Sequence, residues 1–185
     1  IRAFSRIIVQ AEKVDFIVFC EDLFDLPVYA NDDLNVLTGM MKELLKKVPV
    51  CGVCGTPGHE TRSMYQSLID LGFILLESGA EYGFFNKQIK KTDWMIEPEC
   101  LIYGLDEVNK KQIMSCHSEL KSAEVNAFIN DSCKKVITEK IGSMRSRLAE
   151  VPAVLVVHGN ISDAIDSLAE KNEALKRAEI VIKTD

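Results

Sequence analysis

Short apolar runs alternate along this chain with longer segments in which apolar residues recur every three or four positions. The runs predict strands at 15–20, 48–54, 73–77, 100–103, 154–157 and 179–183, and the periodic segments predict helices at 32–47, 60–71 and 162–177. Strands that alternate with helices form βαβ units around a parallel sheet. The pattern therefore predicts an α/β three-layer sandwich with a mostly parallel sheet of five or six strands.

Two stretches depart from this alternation. Residues 78–99 show no clear period and contain two glycines, a proline and the single tryptophan, which is typical of an irregular loop. We expect its part from Gly79 to Trp94 to close over a ligand. Residues 105–150 look helical throughout and form a long helical segment before the last βαβ unit, with an apolar stripe from Val125 to Leu148. This segment is either two helices broken near Gly142 or an arm for self-association into a homodimer.

Composition narrows the classes of partner. The chain has 185 residues, 47% of them hydrophobic, which suits a single α/β domain over 1–185. The net charge of −6 argues against nucleic acid or an anionic membrane as the main partner. No apolar run reaches the ~20 residues of a membrane span, and no signal-peptide pattern begins the sequence. We therefore expect a cytoplasmic protein.

The six cysteines are expected to be reduced and metal-free. Cys20, Cys51 and Cys54 sit in strand-like apolar runs, where a free thiol behaves as a small hydrophobic group. Cys51 and Cys54 form a CxxC, but residues three apart on a strand point to opposite faces of the sheet. The sequence therefore predicts neither a redox pair nor a metal site at these thiols, and it identifies no cofactor.

The best functional signal lies at residues 48–73, which combine a buried strand, a glycine-rich turn and a helix expected to open directly from that turn. Backbone N–H groups at such a junction point toward the positive end of the helix dipole, which favours an anion. The expected ligand-binding residues in this loop are Gly55, Thr56, Gly58, His59 and Glu60. Glycines at 52, 55 and 58 equally suit a tight turn with close packing, so both interpretations stay open.

Two short motifs in this loop are similar to nucleotide-binding sequences. GTPG is similar to phosphate-binding P-loops, but His59-Glu60-Thr61 stands where their Lys-Ser/Thr ending belongs. TPGHE is similar to a motif of translation GTPases, yet no P-loop precedes it. Each overlap covers only a few residues, so neither identifies a family.

Polar residues that follow the other predicted strands complete the expected site. Ligands of parallel sheets bind outside the carboxyl ends of the strands. Glu21 and Asp22 follow the first strand, Ser78 follows the third, and His158, Gly159 and Asn160 follow the fifth. We expect Ser78, Gly159 and Asn160 to contact ligand.

These residues predict a small-molecule enzyme of the transferase or lyase type, acting on an anionic or phosphorylated substrate. A histidine at the end of a strand suits general acid–base work, so His158 is the expected acid/base, oriented by Asp22 or Glu21. The alternative is a non-catalytic ligand-sensing or assembly subunit, in which the strand-end residues only bind or cap. The two differ in whether His158 and a carboxylate meet near the glycine loop.

Overall fold

The computed structural model describes residues 2–20, 23–24, 31–55, 60–93, 95–105, 114–147, 150–157, 160–161 and 181–182. The helix expected over 162–177 lies outside these residues. The chain divides into two compact units, one formed by 1–107 with 151–158 and the other by 108–150 with 159–185. The expectation of a single domain stays a prediction.

The first unit begins with alternating helices and strands, and all but the first helix correspond to predicted elements. Its elements are α1 (Arg2–Gln10), a 3-10 turn (Ala11–Lys13), β1 (Ile17–Phe19), α2 (Asn31–Leu45), β2 (Val50–Gly52), a second 3-10 turn (Arg62–Tyr65), α3 (Gln66–Asp70) and β3 (Ile74–Leu75). The strands form a parallel sheet in the order β1-β2-β3. Because each crossover leads to the next strand in the same direction, the right-handed rule places α2 and α3 on one face.

A second sheet of four strands completes this unit. It contains β4 (Glu81–Phe85), β5 (Gln88–Lys91), β6 (Cys100–Leu105) and β7 (Ala153–Val157), in the order β5-β4-β6-β7. β4 runs antiparallel to β5 and to β6, whereas β6 and β7 are parallel. The fold is thus a mixture of helices and strands, but the prediction of one mostly parallel sheet of five or six strands is wrong.

The prediction of an irregular loop over 78–99 is also wrong, because β4 and β5 form a hairpin there. Asn86 and Lys87 connect the strands with φ of 43° and 63°. Positive φ at both central residues is the geometry of a type I′ turn, which matches the twist of the flanking strands. The sequence hid this turn because a lysine occupies the second position, where glycine is usual.

The parallel sheet is covered on both faces by two different kinds of layer. Val50 and Cys54 pack with residues of α1, α2 and α3 in one apolar cluster. Cys51 and Val53 pack in a second cluster with Tyr82, Phe84 and Ile102 of the four-stranded sheet. The side chains of β2 and the residues after it therefore alternate between helices on one face and a second sheet on the other.

Two glycines allow the layers and strands to approach closely. A Cβ at Gly104, inside β6, would lie 2.5 Å from the Leu76 Cβ. A Cβ at Gly52 would lie 2.6 Å from the Phe19 carbonyl oxygen. The strand predicted over 100–103 continues through Gly104 to Leu105. A larger residue at position 104 would push the two sheets apart.

The second unit contains α4 (Ser122–Arg147), β8 (Asn160–Ile161) and β9 (Val181–Ile182), with β8 parallel to β9. The prediction of helix throughout 105–150 is wrong in part, because Leu105 ends β6 and residues 117–121 are not helical. α4 runs without a break through Gly142, which excludes the alternative of two helices broken there. Lys121 precedes the helix, and its backbone N–H donates to the Glu124 carboxylate at 2.7 Å. This bond satisfies a donor at the helix start. Of the helices described in either unit, none is long and apolar enough to cross a membrane.

Candidate functional site

The three parallel strands end at one edge of their sheet, and the residues after them meet there. Phe24 follows β1, Gly55 and Glu60 follow β2, and Glu77 and Ser78 follow β3. We call this region the carboxyl edge. It is the edge at which ligands bind in parallel sheets.

Glu60 is the centre of the carboxyl edge. It is 1% exposed, the one charged residue among the fully buried side chains of the described part of the chain. Its carboxylate accepts hydrogen bonds from the backbone N–H groups of Phe24 at 2.5 Å and Gly55 at 2.7 Å. The Tyr65 hydroxyl donates a third bond, at 2.5 Å. A buried carboxylate is stable only with such donors, so Glu60 ties the loop after β1 to the loop after β2.

Aromatic packing holds the Tyr65 hydroxyl against Glu60. The Tyr65 ring lies edge-on to Phe24, with centroids 5.2 Å apart, and stacks on Phe73 at 5.7 Å. Both geometries are favoured arrangements of aromatic pairs. Because all three rings are buried in the helical cluster, the phenol has little freedom to turn away from the carboxylate.

A second polar group at this edge is exposed. The Glu77 carboxylate bonds the Lys91 ammonium at 2.7 Å, and this ion pair is about half exposed. The Glu77 backbone N–H donates to the Tyr82 hydroxyl at 3.2 Å. The hydrogen bond from Lys91 lowers the pKa of Glu77, and the charge of Arg62 adds to this effect. The edge therefore presents two cations, from Arg62 and Lys91, beside one exposed carboxylate.

The helix expected to open from the glycine loop begins later than predicted. Helical structure starts with the 3-10 turn at Arg62, and the α-helix covers only Gln66–Asp70. A helix of five residues has a weak dipole because few peptide units align. The short helix gives little support to the expected dipole contribution to anion binding, which stays a prediction, and Arg62 and Lys91 supply positive charge at this edge.

The structure brings together two of the expected ligand-binding residues directly. The Gly55 N–H, expected to face a bound anion, donates to the chain's own Glu60 carboxylate. Glu60 itself points inward and is covered. Ser78 is exposed at the same edge, after β3. The expected roles of all three in ligand binding stay predictions.

The remaining expected site residues are not joined to this edge by the described structure. Asn160 lies in strand β8 of the second unit. Positions 21, 22, 56, 58, 59, 158 and 159 lie outside the described residues. Position 158 follows β7, which belongs to the four-stranded sheet. A shared sheet edge therefore gives no reason for His158 to meet Glu21 or Asp22.

The prediction that Cys51 and Cys54 point to opposite faces of the sheet is confirmed. Cys51 and Cys54 belong to different apolar clusters, on opposite faces of the parallel sheet. Burial raises the pKa of the Cys51 thiol to about 12, and the nearby thiols of Cys20 and Cys100 add to the shift. A thiol with this pKa is protonated at neutral pH and unreactive.

Comparison with known proteins adds no assignment: no protein-family model matches the chain, and none of the curated proteins is similar to it.

Sequence reasoning missed Tyr65 and Lys91 as parts of this edge. Tyr65 lies five residues after Glu60, and a buried tyrosine normally finds a hydrogen-bond partner for its hydroxyl. The sequence therefore contained a signal that could have indicated this contact. Lys91 reaches Glu77 only because the hairpin places β5 near the end of β3. No local pattern near residue 91 indicates that contact.

Proposed function

We propose that this chain is a small-molecule enzyme of the transferase or lyase type whose anionic or phosphorylated substrate binds at the carboxyl edge. The observation that carries the proposal is the buried Glu60 carboxylate, which ties two loops of this edge together. Loops held by internal bonds present a fixed surface, so less ordering is needed when a ligand binds. Glu60 is then a positioning residue.

Side chains at the same edge supply the attraction for an anion. Lys91 and Arg62 carry positive charge, and Ser78 offers a hydroxyl. The Lys91–Glu77 pair is exposed, and exposed ion pairs contribute little free energy. A phosphate group can therefore compete with the Glu77 carboxylate for the Lys91 ammonium.

The chemical step is assigned to His158 as general acid/base, with Asp22 or Glu21 as its orienting carboxylate. Support for this part is the residue chemistry alone, since an imidazole titrates near neutral pH. The second candidate function is a non-catalytic ligand-sensing or assembly subunit. One observation favours it: β7, which precedes His158, lies in a different sheet from β1 and β2.

Binding is tested by titrating inorganic phosphate into the isotope-labelled chain and following backbone amide shifts. We expect saturable shifts at Arg62, Glu77 and Ser78, and their loss in the double variant Arg62→Gln, Lys91→Gln. Lys135→Gln is the matched control, because Lys135 is an exposed lysine of α4. Shifts confined to α4, or shifts unchanged in the double variant, would overturn anion binding at this edge.

Catalysis is tested separately with His158→Ala and a panel of phosphorylated small molecules. An enzyme should lose turnover in this variant while the phosphate-induced amide shifts persist. Binding by the wild-type chain without turnover of any compound would favour the ligand-sensing alternative. The two experiments therefore separate the site from the reaction.

A further inference from the structure

A groove of about 520 Å³ opens at the amino-terminal edge of the parallel sheet, opposite the carboxyl edge. It is lined by residues 12–15 before β1, residues 45–49 before β2, Leu71 and Gly72 before β3, and Lys87 of the β4–β5 turn. We call it the amino-edge groove. Its volume lies within the range of small-ligand sites in proteins.

The charge of the amino-edge groove is opposite to that of the whole chain. Four lysines line it (Lys13, Lys46, Lys47 and Lys87) against two acids, Glu12 and Asp15. The chain as a whole carries −6. A concave surface with excess positive charge on an acidic protein concentrates anions locally.

Two of these lysines are already paired within the chain, and two have no ion pair with any described residue. The Lys47 ammonium bonds Glu12 at 2.6 Å, and Lys46 bonds Glu43 at 2.6 Å. Lys13 and Lys87 take part in none of the ion pairs among the described residues. These two lysines are far apart in the sequence, and the fold brings both of them to the same groove.

The position of Lys87 is set by a turn that disfavours most side chains. Its φ of 63° falls in the left-handed region, where asparagine and glycine are usual. The backbone is nevertheless held there by pairing of Phe85 with Gln88. Lys87 therefore lines the groove from a turn whose backbone is fixed by strand pairing.

Apolar side chains form the smaller part of the groove lining. Val14, Leu45, Val48, Pro49 and Leu71 contribute to its wall. Cationic groups beside an apolar wall suit a ligand that joins a phosphate to an apolar or aromatic body. A bare inorganic anion would leave the apolar wall without a contact.

We infer that the amino-edge groove binds a small organic phosphate, with the phosphate at Lys13 and Lys87 and the organic body against Val14 and Leu71. This site is separate from the carboxyl edge and does not depend on the proposed function. No covalent step is involved.

The test is calorimetric titration of ADP and of inorganic pyrophosphate into the full chain at low ionic strength. We expect saturable ADP binding that is about three- to tenfold weaker in the double variant Lys13→Gln, Lys87→Asn, because exposed ion pairs each contribute modestly. Asparagine at position 87 keeps a residue that tolerates positive φ. Lys42→Gln is the control: it removes an exposed lysine of α2 outside the groove lining and should leave binding unchanged.

Three outcomes overturn the inference. If the double variant and the wild type bind ADP with equal affinity, Lys13 and Lys87 do not contact the ligand. Pyrophosphate affinity equal to or above that of ADP would show that the apolar wall contributes nothing. Loss of ADP binding in Arg62→Gln, Lys91→Gln would place the ligand at the carboxyl edge instead.

Discussion

Glu60 decides the local structure of the carboxyl edge at the scale of a single residue. Its carboxylate accepts from two backbone N–H groups and one phenol, and all of these groups are buried. Replacing it by glutamine presents an NH₂ group to donors that need an acceptor. We expect Glu60→Gln to lower the free energy of unfolding by about 2–4 kcal/mol, measured by urea denaturation.

Two further variants serve as comparisons for Glu60→Gln. Glu97→Gln changes an exposed acid in the same unit and should alter stability by less than about 0.5 kcal/mol. Tyr65→Phe removes one of the three donors and should cost about 1–2 kcal/mol, since the carboxylate keeps the other two. A Glu60→Gln variant as stable as Glu97→Gln would show that the three bonds do not stabilise the fold.

The buried Cys51 thiol is expected to make the free energy of unfolding depend on pH in the alkaline range. Its pKa is about 12 in the folded chain against 9.0 for an ordinary thiol, mainly because burial disfavours the thiolate. Between these values the unfolded chain releases a proton that the folded chain retains, so stability falls as the pH rises. The loss from this thiol is about 1.4 kcal/mol at pH 10 relative to pH 7.

Urea unfolding at both pH values checks this prediction. Cys51→Ala should lose about 1.4 kcal/mol less than the wild type between pH 7 and pH 10, whatever its stability at pH 7. Cys116→Ala is the control variant, because it removes an exposed thiol instead of a buried one. Equal pH dependence in Cys51→Ala and the wild type would contradict the burial of this thiol in the folded chain.

At the scale of the element, two helices carry glycines that the structure does not need. A Cβ at Gly39 in α2 or at Gly142 in α4 would meet no atom within 4 Å. Alanine at either position restricts the unfolded chain and favours the helix, so we expect each variant to gain about 0.5–1 kcal/mol. Thermal unfolding of Gly39→Ala and Gly142→Ala measures this gain.

Gly52→Ala is the contrasting variant in a strand. Its Cβ would lie 2.6 Å from the Phe19 carbonyl oxygen, which is backbone and moves only with β1. We expect this substitution to destabilise the chain by more than 1 kcal/mol. A loss of stability in Gly142→Ala would argue instead that the chain bends at Gly142.

At the scale of the whole molecule, we propose that the chain forms a homodimer through α4. The helix has 26 residues and is about 39 Å long at 1.5 Å per residue. Val125 and Ile129, at the start of its apolar stripe, are buried within the chain. In the sequence the stripe continues to Leu148, and a long apolar stripe on one helix favours self-association, most often as a symmetric dimer.

Sedimentation measurements on the intact chain test the dimer. We expect the wild type to sediment as a dimer and the double variant Ile141→Glu, Met144→Glu to sediment as a folded monomer. Asp131→Glu with Lys135→Arg is the control, because it keeps charge at two exposed positions of the same helix. A wild-type monomer at high concentration would contradict the proposal, as would a double variant that unfolds.

The order β1-α2-β2-α3-β3, the parallel sheet and the opposite facing of Cys51 and Cys54 followed from the sequence alone. These features depend on hydrophobic periodicity within short segments and on the right-handed crossover, so neighbouring residues carry the information. The long helix before β7 follows from the same pattern.

The choice of strands that share a sheet and the direction in which Glu60 faces depend on contacts between residues far apart in the sequence. β4 pairs with β6, although β5 and the residues after it lie between these two strands in the sequence. The hydrophobic pattern within each strand does not indicate which strand it will pair with. The Asn86-Lys87 turn lacks the glycine that would have revealed the hairpin. A carboxylate after a glycine loop can bind a ligand or the chain's own N–H groups, and the choice depends on Phe24 and Tyr65 being brought within hydrogen-bond distance by packing.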